Sequence, residues 1–155
     1  MNNAGPAFSS FKIMHRAMFI GQLVFLGVLF FLVYRKMVSP PLAAQDKIFQ
    51  VIAIVFSAVA FFAGNELFKK RLAAIKDDID LTLKGKFEKY RSACIIQWAL
   101  LEGAVLFCGI CFFLAGNYAF LALAAVLALL FMLQVPDKNK MALQLGLSSA
   151  DVEAL

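Results

Sequence analysis

The stretch that decides the fold is SACIIQWALLEGAVLFCGICFFL, residues 92–114, in which Glu102 is the single charged side chain. No other charge follows before Asp137, so the apolar run 92–136 is about twice the ~20 residues that one membrane crossing needs. A turn signal, Ala115-Gly116-Asn117-Tyr118, divides the run. We therefore expect two membrane helices here, at about 92–114 and 118–135.

Two further uncharged runs lie upstream. Ala17–Tyr34 is bracketed by arginines, and Ile48–Asn65 lies between a lysine and a glutamate. Each is long enough for one crossing, which predicts helices at about 17–35 and 47–68. Hydrophobic residues make up 63% of the chain, against ~45–50% in a typical soluble domain. The pattern predicts an all-α, integral membrane four-helix bundle, a single domain of two tandem transmembrane hairpins.

The positive charges flank the apolar runs and form no separate basic face, which argues against a nucleic-acid partner despite the net charge of +5. With the N-terminus in the cytoplasm, most lysines and arginines lie on the cytoplasmic side, and only Arg35, Lys36 and Lys47 lie outside. This asymmetry fits the positive-inside rule. We expect a multi-pass protein of the plasma or inner membrane with both termini cytoplasmic.

The largest soluble segment is the connector 69–91, in which apolar residues recur at helical spacing: Leu72, Ile75, Ile79 and Leu83. It predicts a cytoplasmic helix that continues the second membrane helix or lies along the headgroups, with Gly85 as its C-terminal stop. The segment is either a solvated loop helix or a docking surface for a cytoplasmic partner. In the cytoplasmic tail, 137–155, Ser148 and Asp151 form a capping pattern for a short helix, Ser149–Leu155.

An internal repeat is a hypothesis that the sequence suggests. Aligning His15–Phe31 with Tyr90–Leu106 matches an arginine, an isoleucine and a glutamine, the last being Gln22 with Gln97. Both segments enter the membrane from the cytoplasm in the predicted topology. A duplication of one hairpin would explain the match, although it depends on three identities.

Glu102 falls near the predicted bilayer midplane, where a carboxylate costs ~2.5–3.5 kcal/mol on insertion scales. We expect it to be protonated and to face protein, with Gln22, Asn65 or Ser57 as its partner. Gln97 lies on another face of the same helix. The predicted intramembrane polar site therefore comprises Glu102, Gln22, Gln97 and Asn65. It is either a proton- or cation-binding site or a hydrogen-bonded contact that holds helices together.

The remaining polar residues predict no chemistry. Ion pairs of Glu66 with Lys69 and Lys70 are expected at the cytoplasmic interface, and His15 is expected to contact headgroups. Cys108 and Cys111 form a CxxC, which indicates metal or redox chemistry only with further ligands. We expect these cysteines to be packing residues, with no metal and no cofactor.

The stretch ALLEG, Ala99–Gly103, resembles the carboxylate helix of the membrane-ring proteolipids of rotary ATPases. That resemblance implies duplicated hairpins and a proton-carrying carboxylate at Glu102. The chain departs from the family in having only nine glycines and in its long charged connector. Four-helix glutathione and eicosanoid membrane enzymes have a similar length, but their arginine, asparagine and glutamate cluster in helix two is missing here.

These patterns predict a small polytopic membrane protein without catalytic chemistry. We expect an interaction or assembly subunit that forms a homo-oligomer or joins other membrane subunits. The alternative is a small transporter or a proton-translocating, proteolipid-like unit that uses Glu102.

Overall fold

The computed structural model describes residues 4–147 and is helical, with no strand in that range. Four helices carry most of the chain: α1 (Ala4–Tyr34), α2 (Asp46–Asp77), α3 (Leu83–Ala115) and α4 (Ala119–Met132). A short helix, α5 (Lys138–Leu145), follows α4, and a 3-10 turn at Ala43–Gln45 precedes α2. Of these, α1, α2 and α3 are long and apolar enough to cross a membrane, and α4 is a shorter apolar helix. The all-helical class is as predicted.

The centre of the bundle is α3, which packs against α2, α4 and α1, and α4 also contacts both α1 and α2. In an 18-residue apolar segment of α3, 50% of the residues are buried. The corresponding shares are 22% for α2 and 6% for α1. Although α1 and α2 are consecutive, they hardly touch each other. The first predicted hairpin is therefore not a packed pair, because α1 and α2 each pack against α3 and hardly against each other.

Small residues allow α2 to approach α3 closely. Ala53, Ser57, Ala60 and Gly64 are buried at intervals of three and four residues, so they form one stripe along α2. A Cβ at Gly64 would lie 3.6 Å from the carbonyl oxygen of Gln97. Such stripes favour close packing of helices where the hydrophobic effect does not drive their association.

The connector is mostly helical, because α2 continues to Asp77 and α3 begins at Leu83. Thr82 caps α3 by accepting a hydrogen bond from the backbone N–H of Gly85 at 3.2 Å. The prediction that Gly85 ends a helix is thus wrong, since Gly85 lies in the first turn of α3. The predicted apolar stripe is only partly formed. Ile75 is buried and Leu72 half-buried, but Ile79 lies beyond the end of α2 and is 91% exposed.

The turn between α3 and α4 falls at the predicted place. Gly116 adopts φ +71°, a left-handed conformation, and its N–H donates to the carbonyl of Phe112 at 2.7 Å. The loop after α1 covers this turn, so that a Cβ at Gly116 would lie 2.6 Å from Pro40. Asn117 also donates its side-chain amide to the carboxylate of Asp46 at 3.0 Å, which joins the turn to the start of α2.

The chain after α4 contains a helix that the sequence reading missed. Asp137 caps α5 by accepting hydrogen bonds from the N–H groups of Asn139 and Lys140, at 2.9 and 3.1 Å. The Tyr90 hydroxyl donates to the Gln144 side chain at 2.9 Å, which ties α5 to α3. The tail helix predicted at Ser149–Leu155 lies outside the described residues.

Candidate functional site

Glu102 lies in the middle of α3 with a half-buried side chain. Its carboxyl group makes no hydrogen bond or ion pair with any residue in the described range. The expected pairing with Gln22, Asn65 or Ser57 is not made, so that prediction is wrong for the single chain. Glu102 is therefore a polar group without a polar partner, halfway along the central apolar helix.

Two of the expected partners are engaged elsewhere. The Gln97 side-chain amide donates to the Asn65 side-chain oxygen at 2.7 Å, and the Ser57 hydroxyl lies 3.6 Å from the Cys108 sulfur. Both contacts join α2 to α3. Glu102 is five residues beyond Gln97, which places it about 140° away around the helix. The carboxyl group consequently points away from α2.

Gln22 is the second polar group without a partner. Its side chain is fully buried, at 0% exposure, and neither its amide nitrogen nor its amide oxygen has a hydrogen-bond partner within residues 4–147. Buried amides are almost always hydrogen-bonded, and one that is not costs ~1–3 kcal/mol. Gln22 thus indicates a local cost to stability.

Gln22 and Glu102 lie close together along the bundle. The His15 ring packs against Trp98 with centroids 4.6 Å apart, and Leu26 lies against Gly109. The residues of each pair are 83 positions apart in the sequence, so α1 and α3 run parallel in that register. Glu102 is then level with Phe19 on α1. Phe19 is three residues before Gln22, so Gln22 and Glu102 are about 4.5 Å apart along the helix axis. The sequence predicted that both groups lie in the membrane. It could not show that both lack a hydrogen-bond partner.

His15 lies in the bundle core, and the expected headgroup contact is wrong. The ring is 1% exposed, its Nε2 donates to the Phe131 carbonyl oxygen at 3.1 Å, and it stacks on the Phe131 ring at 4.6 Å. Phe11, one turn earlier, stacks on Trp98 at 4.9 Å. The signal that could have found this is the spacing of Phe8, Phe11 and His15, which puts all three on one face of α1.

The predicted interfacial ion pair is present in part. The Lys69 ammonium lies 2.9 Å from the Glu66 carboxylate, with both side chains largely exposed. Lys70 forms no ion pair within residues 4–147. Exposed pairs of this kind contribute little to stability.

The three cysteines are buried and free. No group of three histidine, cysteine, aspartate or glutamate side chains in the described part of the chain could hold a metal ion. Together, these features define a helical bundle with three helices capable of spanning a membrane, in which Gln22 and Glu102 have no hydrogen-bond partner among the described residues. Comparison with protein-family models, with curated proteins and with solved structures found no match.

Proposed function

We propose that this protein is a multi-pass membrane protein that acts as an interaction or assembly subunit, either as a homo-oligomer or with other membrane subunits, and without catalytic chemistry. The observation that carries the proposal is the unpartnered carboxyl group of Glu102 on α3. A polar group that the single chain leaves unsatisfied at mid-membrane depth is best explained by a contact that another chain completes.

Placement in a bilayer is supported by the apolar surface of the long helices. Large side chains such as Val24 and Phe62 are 60% and 66% exposed, which suits a hydrocarbon environment. The distribution of lysines and arginines supports cytoplasmic termini and the plasma or inner membrane. The fourth crossing runs through α4, whose 14 residues cover about 21 Å, so the bilayer thins or flanking residues extend the span there.

The energetics favour a partner helix at Glu102. A carboxylate facing lipid at the centre of a helix costs ~2.5–3.5 kcal/mol, and a hydrogen bond between membrane helices contributes ~0.6–2 kcal/mol. The neighbouring positions leave room for such a helix. Ala99 is exposed, and a Cβ at Gly103 would meet nothing within 4 Å. A second helix could therefore approach the α3 backbone closely beside the carboxyl group.

A proton- or cation-translocating unit is the second candidate. It is favoured by the burial of Glu102, which is half-buried and therefore not enclosed in the bundle. A carboxyl group so placed can exchange a proton with a group on a neighbouring subunit. The two functions differ in whether Glu102 has to change its protonation state.

Co-purification in a mild detergent tests the assembly function. Glu102→Leu removes the hydrogen-bonding group, so we expect it to lose the oligomer or the co-purifying subunits that wild type retains. Glu102→Gln keeps a donor and an acceptor and should retain them. Gln97→Leu is the matched control on the same helix. It breaks the contact with Asn65 inside the chain, so it should lower the melting temperature without changing the set of partners.

Two results would contradict the assembly function: an unchanged oligomer and partner set in Glu102→Leu, or equal losses in Glu102→Leu and Gln97→Leu. Proton flux in proteoliposomes separates the second candidate. A translocating unit predicts that Glu102→Gln assembles normally and conducts no protons.

A further inference from the structure

A cleft with basic walls lies between the end of α2 and the start of α3. Arg71, Ala74 and Ile75 line it from α2, and Lys89 and Ser92 line it from α3. Its volume is about 170 Å³. Ile75 is 3% exposed and belongs to the hydrophobic core, so the base of the cleft is apolar and its rim carries hydrogen-bond donors.

The donors at this rim are available to a ligand. The Arg71 guanidinium and the Ser92 hydroxyl make no hydrogen bond with any residue of the described range. The Lys89 ammonium is 3.1 Å from the Asp78 carboxylate, which orients it and leaves further N–H donors unused. Arginine, lysine and serine are the side chains that proteins use to hold phosphate oxygens.

A second groove continues from the cleft along α3. It has a volume of about 370 Å³, shares Ser92 with the first, and is also lined by Glu88, Arg91, Ile95 and Ile96. Ile95 and Ile96 lie one turn further into the uncharged span of α3, and Glu88 lies one turn towards the charged connector. Along the two cavities the lining changes from charged donors to half-buried apolar side chains. A bilayer changes in the same order, from headgroups to hydrocarbon.

We propose that the cleft binds the phosphate of an anionic phospholipid, with Arg71, Lys89 and Ser92 holding the headgroup and Ile95 and Ile96 contacting an acyl chain. This assignment depends on the proposed membrane placement and is independent of the role of Glu102. The charged side chains that line the two cavities are Arg71, Lys89, Arg91 and one acid, Glu88. Asp78 pairs with Lys89 and leaves Arg71 unpaired, which favours an anionic headgroup over a neutral one. Basic pockets between membrane helices on the cytoplasmic side suit such headgroups.

Lipid binding can be measured on the full-length protein in a neutral detergent, by native mass spectrometry during titration with phosphatidylglycerol or phosphatidylcholine. Wild type should prefer phosphatidylglycerol. Arg71→Gln should weaken phosphatidylglycerol binding roughly fivefold, the effect of removing about 1 kcal/mol of attraction for one basic residue. Lys76→Gln is the matched control, since Lys76 is an exposed lysine on the same part of α2 that does not line the cleft. It should change affinity by less than about twofold, because screening weakens charges at a distance.

The proposal is overturned if wild type shows no preference for phosphatidylglycerol, or if Arg71→Gln and Lys76→Gln weaken binding equally. In a second arm of the experiment, inorganic phosphate and glycerol phosphate are added as competitors. If either competes for the site at the same concentration as the lipid, the ligand is a free phosphate compound and the lipid assignment is wrong. Failure of this assignment would leave the Glu102 assembly function standing, because that function is measured by partners and not by bound lipid.

Discussion

At the scale of single residues, the clearest prediction about stability concerns Gln22. Its amide is fully buried and unpaired, so Gln22→Met should remove an unsatisfied polar group and keep the length of the side chain. We expect the variant to be more stable than wild type by ~1–3 kcal/mol, read as a higher melting temperature in the same detergent. Gln97→Met is the control. Its amide is paired with Asn65, so it should be less stable. A Gln22→Met variant that melts below wild type would show that the amide is not an unsatisfied group in the folded protein.

His15 tests the aromatic cluster between α1, α3 and α4. His15→Phe keeps the stacking on Phe131 and loses one hydrogen bond, and the Phe131 carbonyl still accepts from the backbone N–H of Gln134 at 3.0 Å. We expect a cost of ~0.5–1.5 kcal/mol. His15→Ala also opens a cavity beside Trp98 and should cost ~3–5 kcal/mol, as large-to-small changes of buried rings do. Thermal unfolding compares the two variants, and equal losses would show that the Nε2–H bond, not the packing, holds α1 in place.

The sequence indicates that Glu102 is unusual, but it cannot identify the neighbours of Glu102. Depth along a membrane helix follows from counting residues, and this depth is what makes Gln22, Asn65 and Ser57 candidate partners of Glu102. Direction around the helix depends on how the other helices pack. Here α2 lies on the face of α3 that carries Gln97 and Cys108, which takes Asn65 and Ser57 away from Glu102.

At the scale of elements, the contact between α2 and α3 depends on small side chains. A Cβ at Gly64 would be in ordinary contact with Gln97 and Leu100, at 3.6–3.7 Å, so alanine fits and a larger side chain does not. Gly64→Leu should separate the helices and lower stability by ~1–3 kcal/mol, measured by thermal unfolding. The control is Gly27→Leu on α1, where a Cβ meets nothing within 4 Å. Equal melting temperatures for Gly64→Leu and wild type would mean that the two helices do not pack in this register.

The number and order of the long helices could be read from the uncharged runs, and so could the ends at the loop after α1 and at the turn between α3 and α4. The ends beside the charged segments could not, and α1 begins at Ala4 and not near the predicted residue 17. A run stops at the first charge, but a helix continues past it wherever later residues can still be capped or packed. α2 therefore continues through Lys69 and Lys70 to Asp77, and α3 begins at the Thr82 cap inside the charged connector. The same reasoning explains α5. Its Asp137 cap was visible in the sequence, but Met141 and Leu145 needed a packed bundle to bury them.

At the scale of the whole molecule, α3 contacts each of the other long helices, and a smaller share of α1 is buried than of α2 or α3. The attachment of α1 includes the His15 cluster and the contacts around Gly109. Beyond Arg16 its outward face is apolar, with Ile20, Val24 and Val28 all exposed. In a bilayer that face is satisfied by lipid, so the weak attachment of α1 is consistent with a bundle that completes itself only in a membrane.

Topology follows from the arrangement of charges on the whole chain. Single cysteines at Ala43 and Ile79 in a cysteine-free background place one probe before α2 and one in the 78–82 turn, and both positions are exposed. With cytoplasmic termini, a membrane-impermeant maleimide added to intact cells should label Ala43→Cys and not Ile79→Cys. Permeabilised cells provide the control, since both probes should then react. Replacing Cys108 removes its contact with Ser57, so the background is first checked for wild-type expression and melting temperature. Labelling of Ile79→Cys in intact cells, with Ala43→Cys protected, would place the basic connector outside and reverse the proposed orientation.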